Sequence, residues 1–157
     1  MADFVTAVIV AMPFAEKPML AAMMDDYLAE MAALLHLTVA FDPRLDRYWS
    51  EPGERWPYWI VDDRERVGFV LVRYDRENSR FEVAEFFVVP QSRRRGIGIA
   101  AARAVLRRHP GQWRITQRER NANAIAFWHR VLAIYSFDER TTATDAVRRE
   151  QRFTVAK

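Results

Sequence analysis

Glu85 stands in the run Val83-Ala84-Glu85-Phe86-Phe87-Val88, a carboxylate among apolar neighbours. Such surroundings disfavour its charge and raise its pKa towards that of a useful general base. The same setting also suits a buried ion pair with a structural arginine. Glu82, nearer the start of the run, reads as the wetter carboxylate. Downstream, Pro90 breaks the run, and Arg93-Arg94-Arg95 leads into Gly96-Ile97-Gly98-Ile99-Ala100. Glycines at 96 and 98 let backbone approach a ligand without a Cβ in the way. A helix starting there points free N–H groups and the positive end of its dipole at the loop. With three arginines beside it, this is an anion site suited to phosphates. A second cluster, Asn121-x-x-Ala124-x-x-Phe127-Trp128, begins with a good N-cap residue. It continues as an apolar face of Ala124, Ile125, Phe127, Trp128, Val131 and Leu132, which an ordinary capped core helix would also show.

The elements that must hold these residues follow from periodicity. Phe4 to Ala11 is rich in β-branched residues and predicts a strand. Lys17 to Leu35 carries Leu20, Met23, Met24, Tyr27, Leu28, Met31, Leu34 and Leu35 at helical spacing. Most of that helix packs a core; Tyr27 and Glu30 are the positions that could face a substrate. His36 to Pro57 is irregular and carries Phe41, Tyr48, Trp49 and Trp56, which either line a pocket or pin the segment to the core. Strands follow at Tyr58–Val61, Arg66–Tyr74 and Phe81–Val89, joined by short turns and therefore antiparallel. A helix from Gly98 to Arg108 stops at Pro110-Gly111, with His109 at its end, where a cation suits the dipole. Trp113–Thr116 is a strand, Asn121–Tyr135 a helix and Phe153–Val155 a last strand. The order predicts an α/β fold: a mixed sheet flanked by helices, parallel around the glycine loop.

The loop is not a P-loop, since no Gly-Lys-Ser/Thr follows. It partly matches the dinucleotide pattern as Gly96-x-Gly98-x-x-Ala101, with Glu119 further on. Against that, Gln91 to Arg95 separate Pro90 from the first glycine, an antiparallel meander precedes the unit, and too little chain follows for a doubly wound sheet.

Arg93-x-x-Gly96-x-Gly98 between strand and helix, followed by Asn121-x-x-Ala124-x-x-Phe127-Trp128, resembles the GCN5-related N-acetyltransferase (GNAT) superfamily. More narrowly, Ala84-Glu85-Phe86-Phe87-Val88, Arg93-Arg94, Pro110-Gly111-x-Trp113, Phe127-Trp128-x-x-Val131 and Tyr135 resemble a branch of predicted acetyltransferases of unassigned substrate. The resemblance implies the GNAT fold over a single domain, residues 1–157, and acetyl-CoA as cofactor. It implies cofactor contacts from Phe87, Val88, Val89, Arg93, Arg94, Arg95, Gly96, Ile97, Gly98, Ile99, Ala100, Asn121, Ala124, Phe127 and Trp128. It implies an N-acetyltransferase in which a primary amine attacks the thioester directly. Glu85 is then the base, and a backbone N–H on the Phe87–Val89 strand polarises the carbonyl. A bulge there would splay this strand from the Trp113 strand. Many members carry Tyr where Trp128 stands, and indole cannot protonate a thiolate. Tyr135 is the remaining phenol near that helix, with water as the fallback. The loss of that acid also fits a non-catalytic acyl-CoA-binding or regulatory domain.

Composition excludes other classes. There is no cysteine, hence no disulfide, thiolate metal site or cysteine nucleophile. His36, His109 and His129 lack metal spacing, so no metal is expected. Of the 24 basic residues only Lys17 and Lys157 are lysine; acidic residues nearly balance them at net +3, which argues against nucleic acid. No apolar run reaches membrane-span length, and cytoplasm is the default compartment. The partner is an amine acceptor, small molecule or peptide; Asp26, Tyr27, Glu30, Tyr48, Trp49 and Glu85 would suit a cationic one. A homodimer is common in the family.

Overall fold

The computed structural model describes residues 8–36 and 42–157. The predicted first strand is seen as β1 (Val8–Ala11); its earlier residues, and Phe41, lie outside the described residues. Helix α1 (Lys17–Leu35) has Pro18 in its first turn, where a missing N–H costs nothing, and ends at His36 in the left-handed region. Within the expected loop lies one short helix, α2 (Arg47–Ser50). Then come β2 (Arg55–Asp62), β3 (Glu65–Asp75) and β4 (Arg80–Val88), antiparallel as expected. Strand β2 begins earlier than its sequence suggests. Pro57 is accommodated because it lies past the last β1 rung, Ala11 opposite Tyr58. After α3 (Ile97–Arg108), β5 (Gly111–Arg118) lies parallel to β4.

Helix α4 (Ala122–Val131) is shorter than predicted. It tightens into a 3-10 turn at Leu132–Ile134 and leaves Tyr135 extended. The largest departure is at the end of the chain. The expected strand at Phe153–Val155 is the tip of β7 (Val147–Val155), and β6 (Phe137–Ala143) was not anticipated. Neither strand alternates apolar with polar cleanly. Cross-strand pairs such as Arg149 with Glu139 (2.7 Å) join them instead.

The seven strands run β1-β2-β3-β4-β5-β7-β6 in one mixed sheet. Both faces of its first half are covered, which explains the unbroken apolar run of β3. Phe69 and Leu71 meet α1 residues Leu20 and Met24 on one face. Val70 and Val72 meet Ile97, Ala101 and Val105 of α3 and Trp128 of α4 on the other. His109 is buried against Tyr58, Trp56 and Phe81, and burial pushes its pKa down to about 4. It is therefore a neutral core residue rather than the helix-end cation expected. No helix among the described residues is long and apolar enough to cross a membrane.

Candidate active site

The site grows from a break in the sheet. Strands β4 and β5 pair at two rungs, Phe81 with Trp113 and Glu82 with Arg114, and then part. At the same level the β3–β4 register shifts: Leu71 faces Glu85 while Val72 faces Val83, leaving Ala84 as the extra residue of a bulge. The bulge therefore sits earlier than the Phe87–Val89 stretch anticipated. It turns Ala84 and Glu85 to the α1 side while Val83 and Phe86 pack beneath α3 and α4. A cavity of about 620 Å³ opens between the parted strands. Tyr27, Ala84, Glu85 and Phe86 line one side, and Ile115, Thr116, Gln117, Arg118, Asn121, Ala124 and Trp128 the other.

Glu85 accepts a hydrogen bond of 2.5 Å from the Tyr27 hydroxyl. Burial raises the Glu85 pKa; the Tyr27 hydrogen bond and the charge of Arg73 offset this in part. Burial, then the neighbouring Glu85 charge, raises Tyr27 as well, so the phenol stays protonated and donating. The buried ion pair belongs to Glu82, contrary to the sequence reading. Glu82 is only 5% exposed, and binds Arg73 Nε at 2.7 Å and Arg114 Nε at 2.8 Å.

A backbone N–H at the end of β4 is also left without a strand partner, while the carbonyl of the same residue, Val88, accepts from Arg93 Nε. Val89 N–H donates to Val67 O at 2.8 Å, so strand alternation turns the N–H and C=O of Val88 to the opposite edge, where β5 has parted. Phe87 and Val89 point theirs at β3. Beyond them the chain makes a 3-10 turn at Pro90–Ser92 and passes through Arg94 and Gly96, both at positive φ (63° and 79°). At Gly96 that conformation favours glycine. No side chain caps α3, whose first intrahelical bond runs from Ala100 N–H to Gly96 O, so the N–H groups of Ile97, Gly98 and Ile99 are open. Gly98 serves packing: a Cβ there would sit 3.1 Å from the Phe127 ring. Phe127 in turn lies 5.1 Å from Phe86. Asn121 Oδ1 caps α4 by accepting from Ala124 N–H at 3.1 Å.

Several predicted site residues stand elsewhere. Arg93 donates from Nε to Val88 O and from Nη2 to Glu30, both at 2.8 Å, and covers the Phe87 ring. Its side chain ties the loop to α1; Arg94 is left as an outward cation, and Arg95, also outward, lies 3.8 Å from Asp62. Glu30 is thus exposed and paired, and does not line the cavity. Tyr48 is buried in the α1-side core, and Trp49 donates to Met12 O at 2.8 Å; both pin their segment. Tyr135 packs on Phe153 at 5.5 Å, outside the cavity lining. The residues missed were Thr116, Gln117, Arg118 and Arg148 on the far wall. Extending the Trp113–Thr116 strand by two residues would have brought Gln117 and Arg118 to notice.

The sequence model of the Acetyltransferase (GNAT) family matches residues 20–133. Solved structures share the fold across nearly the whole chain. The ribosomal-protein-S18-alanine N-acetyltransferase from Escherichia coli has a TM-score of 0.62 at 15% identity, covering 97% of this chain and 96% of that one. RimL, a ribosomal L7/L12 α-N-protein acetyltransferase in complex with coenzyme A, has 0.70 at 13%, covering 96% and 94%. Arabidopsis thaliana NAA60 in complex with acetyl-CoA has 0.67 at 13%, covering 95% and 98%. No curated protein matches the chain in sequence. The chain belongs to the Acetyltransferase (GNAT) family. It is an acyltransferase, and its cofactor is acetyl-CoA.

Proposed function

We propose that the protein is an N-acetyltransferase in which the acceptor's primary amine attacks directly, with Glu85 as general base. The observation that carries this is Glu85 itself, a partly desolvated carboxylate held by Tyr27 in the cavity between the parted strands. The amine must lose a proton to acylate, and a base with a raised pKa is matched to that task.

Acetyl-CoA, when bound, supplies an acetyl group on a thioester. The parted strands, the outward Val88 N–H, and the open first turn of α3 beside Arg94 and Arg95 fit its arm, its acyl oxygen and its phosphates respectively. Asn121, Ala124 and Trp128 form the wall along the arm. Glu85 takes the proton from the amine nitrogen. With Tyr135 on Phe153 and Tyr27 committed to Glu85, water delivers the proton to the leaving sulfur. Two of the similar structures are named as an alanine N-acetyltransferase and an α-N-protein acetyltransferase, which supports an amine here. We read residues 1–157 as one acetyltransferase domain.

The test is calorimetric titration with acetyl-CoA, with NADH as control, followed by thiol release on a panel of amines. Acetyl-CoA binding, no NADH binding and amine-dependent thiol release are expected. Binding without thiol release from any amine would leave a non-catalytic acyl-CoA-binding domain, which the absence of a tyrosine at Trp128 would explain.

A further inference from the structure

We infer that the acceptor is a small primary amine that also carries an anionic group, a carboxylate or a phosphate, held by Arg118 opposite Glu85. This rests on the acetyltransferase reading and names its substrate class.

Arg118 and Arg148 face each other across the β5–β7 ladder, and both line the cavity. Two like charges directly opposite destabilise a sheet. Arg148 is neutralised by Asp145, with an Nη2–Oδ2 bond of 3.1 Å. Arg118 has no carboxylate partner among the described residues. Nor can its neighbours provide one. On the same face Glu150 is shared by Arg114 and Arg152, each at 3.1 Å, and by Arg140 at 3.6 Å. Glu82 is shared by Arg73 and Arg114. The acidic side chains of this face are consumed by several arginines apiece, and a surplus of positive charge is left at Arg118.

The opposite wall holds the base. The cavity of about 620 Å³, which the acceptor would share with the acetyl-CoA arm, therefore has a proton acceptor on one side and a forked cation on the other. A cationic acceptor would meet Arg118 unfavourably. Of the acidic residues that pointed to one in the sequence only Glu85, the proposed base, lines the cavity: Glu30 is held by Arg93, and Asp26 is exposed on α1 away from the lining.

The test uses the whole chain saturated with acetyl-CoA, and β-alanine, glutamate, phosphoethanolamine, agmatine and spermidine as amines. Thiol release is expected with the anionic amines in preference to agmatine and spermidine; glutamate against phosphoethanolamine separates carboxylate from phosphate. Arg118→Gln should raise KM for the preferred amine roughly tenfold or more, the scale of one charge-assisted hydrogen bond. Arg118→Lys should recover part of that loss, and both variants should bind acetyl-CoA as the parent does. Preference for agmatine or spermidine overturns the inference. So does acetyl-CoA binding with no anionic amine consumed, or an Arg118→Gln variant that loses affinity for acetyl-CoA, which would place Arg118 on the cofactor. Failure of the parent to bind acetyl-CoA would instead sink the acetyltransferase reading beneath it.

Discussion

Burial disfavours the ionised form of Glu85, and the Tyr27 hydroxyl partly restores it. Two consequences follow at this scale. The raised pKa means that the folded protein binds this proton more tightly than the unfolded chain. Stability is then full below the ordinary value of 4.5 and declines as pH rises through the raised one. Glu85→Gln should therefore be no less stable than the parent at about pH 8, with its relative advantage shrinking towards about pH 5, by urea unfolding at both. The same variant should lose about 100-fold or more in kcat, the usual contribution of a general base; a smaller loss would mean that the amine arrives already neutral. Tyr27→Phe removes a hydrogen bond that favours the carboxylate. The acid limb of its kcat/KM profile should move to higher pH, and a limb that stays put would deny Tyr27 any hold on the base.

The cavity exists because β4 and β5 are joined at one end and apart at the other. Glu82 stands at the last rung, bonded to Arg114 across the gap and to Arg73 on β3. Removing Glu82 loses charge-assisted hydrogen bonds to two partly exposed guanidiniums, of which Arg114 keeps Glu150, and this costs about 2 kcal/mol. Glu82→Ala should destabilise by about that amount in urea titration. A loss under about 1 kcal/mol would mean that the backbone ladders hold the joint without the charges. The opening past the joint is a matter of backbone: the Ala84 bulge adds a residue to β4, and the strand twists away from β5.

For the molecule as a whole, the aromatic cluster around His109 links β2, β4 and β5 to the end of α3. The imidazole is bonded to the Tyr58 hydroxyl at 2.7 Å, and Trp56 and Phe81 pack around it with tilted rings. Burial first, and the Arg108 charge second, lower its pKa to about 4 from 6.5. A depressed histidine binds its proton more readily in the unfolded chain, so stability is full above pH 6.5 and is lost as pH falls towards about 4. Thermal unfolding across that window should show a steeper decline for the parent than for His109→Gln. Equal slopes would mean that carboxylates elsewhere govern acid unfolding.

Local features carried the strand–loop–helix unit from Val83 to Arg108 and the Asn121 cap. Apolar runs, Pro90, Gly96 and a capping side chain each act on backbone a few residues away, so they can be read in order. The two glutamates show where such reading stops. Alternation alone makes Glu85 the ion-paired candidate as readily as Glu82; the Ala84 bulge and the arginines of β3 and β5 decide it. The C-terminal hairpin was hidden for a related reason: its ladder rests on charge pairs between strands rather than on an apolar period. The ion pair of Arg93 with Glu30 depends on α1, and the pairing of Arg118 opposite Arg148 depends on β7, neither of which a local pattern shows. A local pattern therefore determined the family and the glycine loop proposed for the cofactor. The surroundings of the proposed base Glu85, its Tyr27 hydrogen bond and the lone charge of Arg118 were decided by residues distant in the chain, because electrostatic character depends on what each group meets in space.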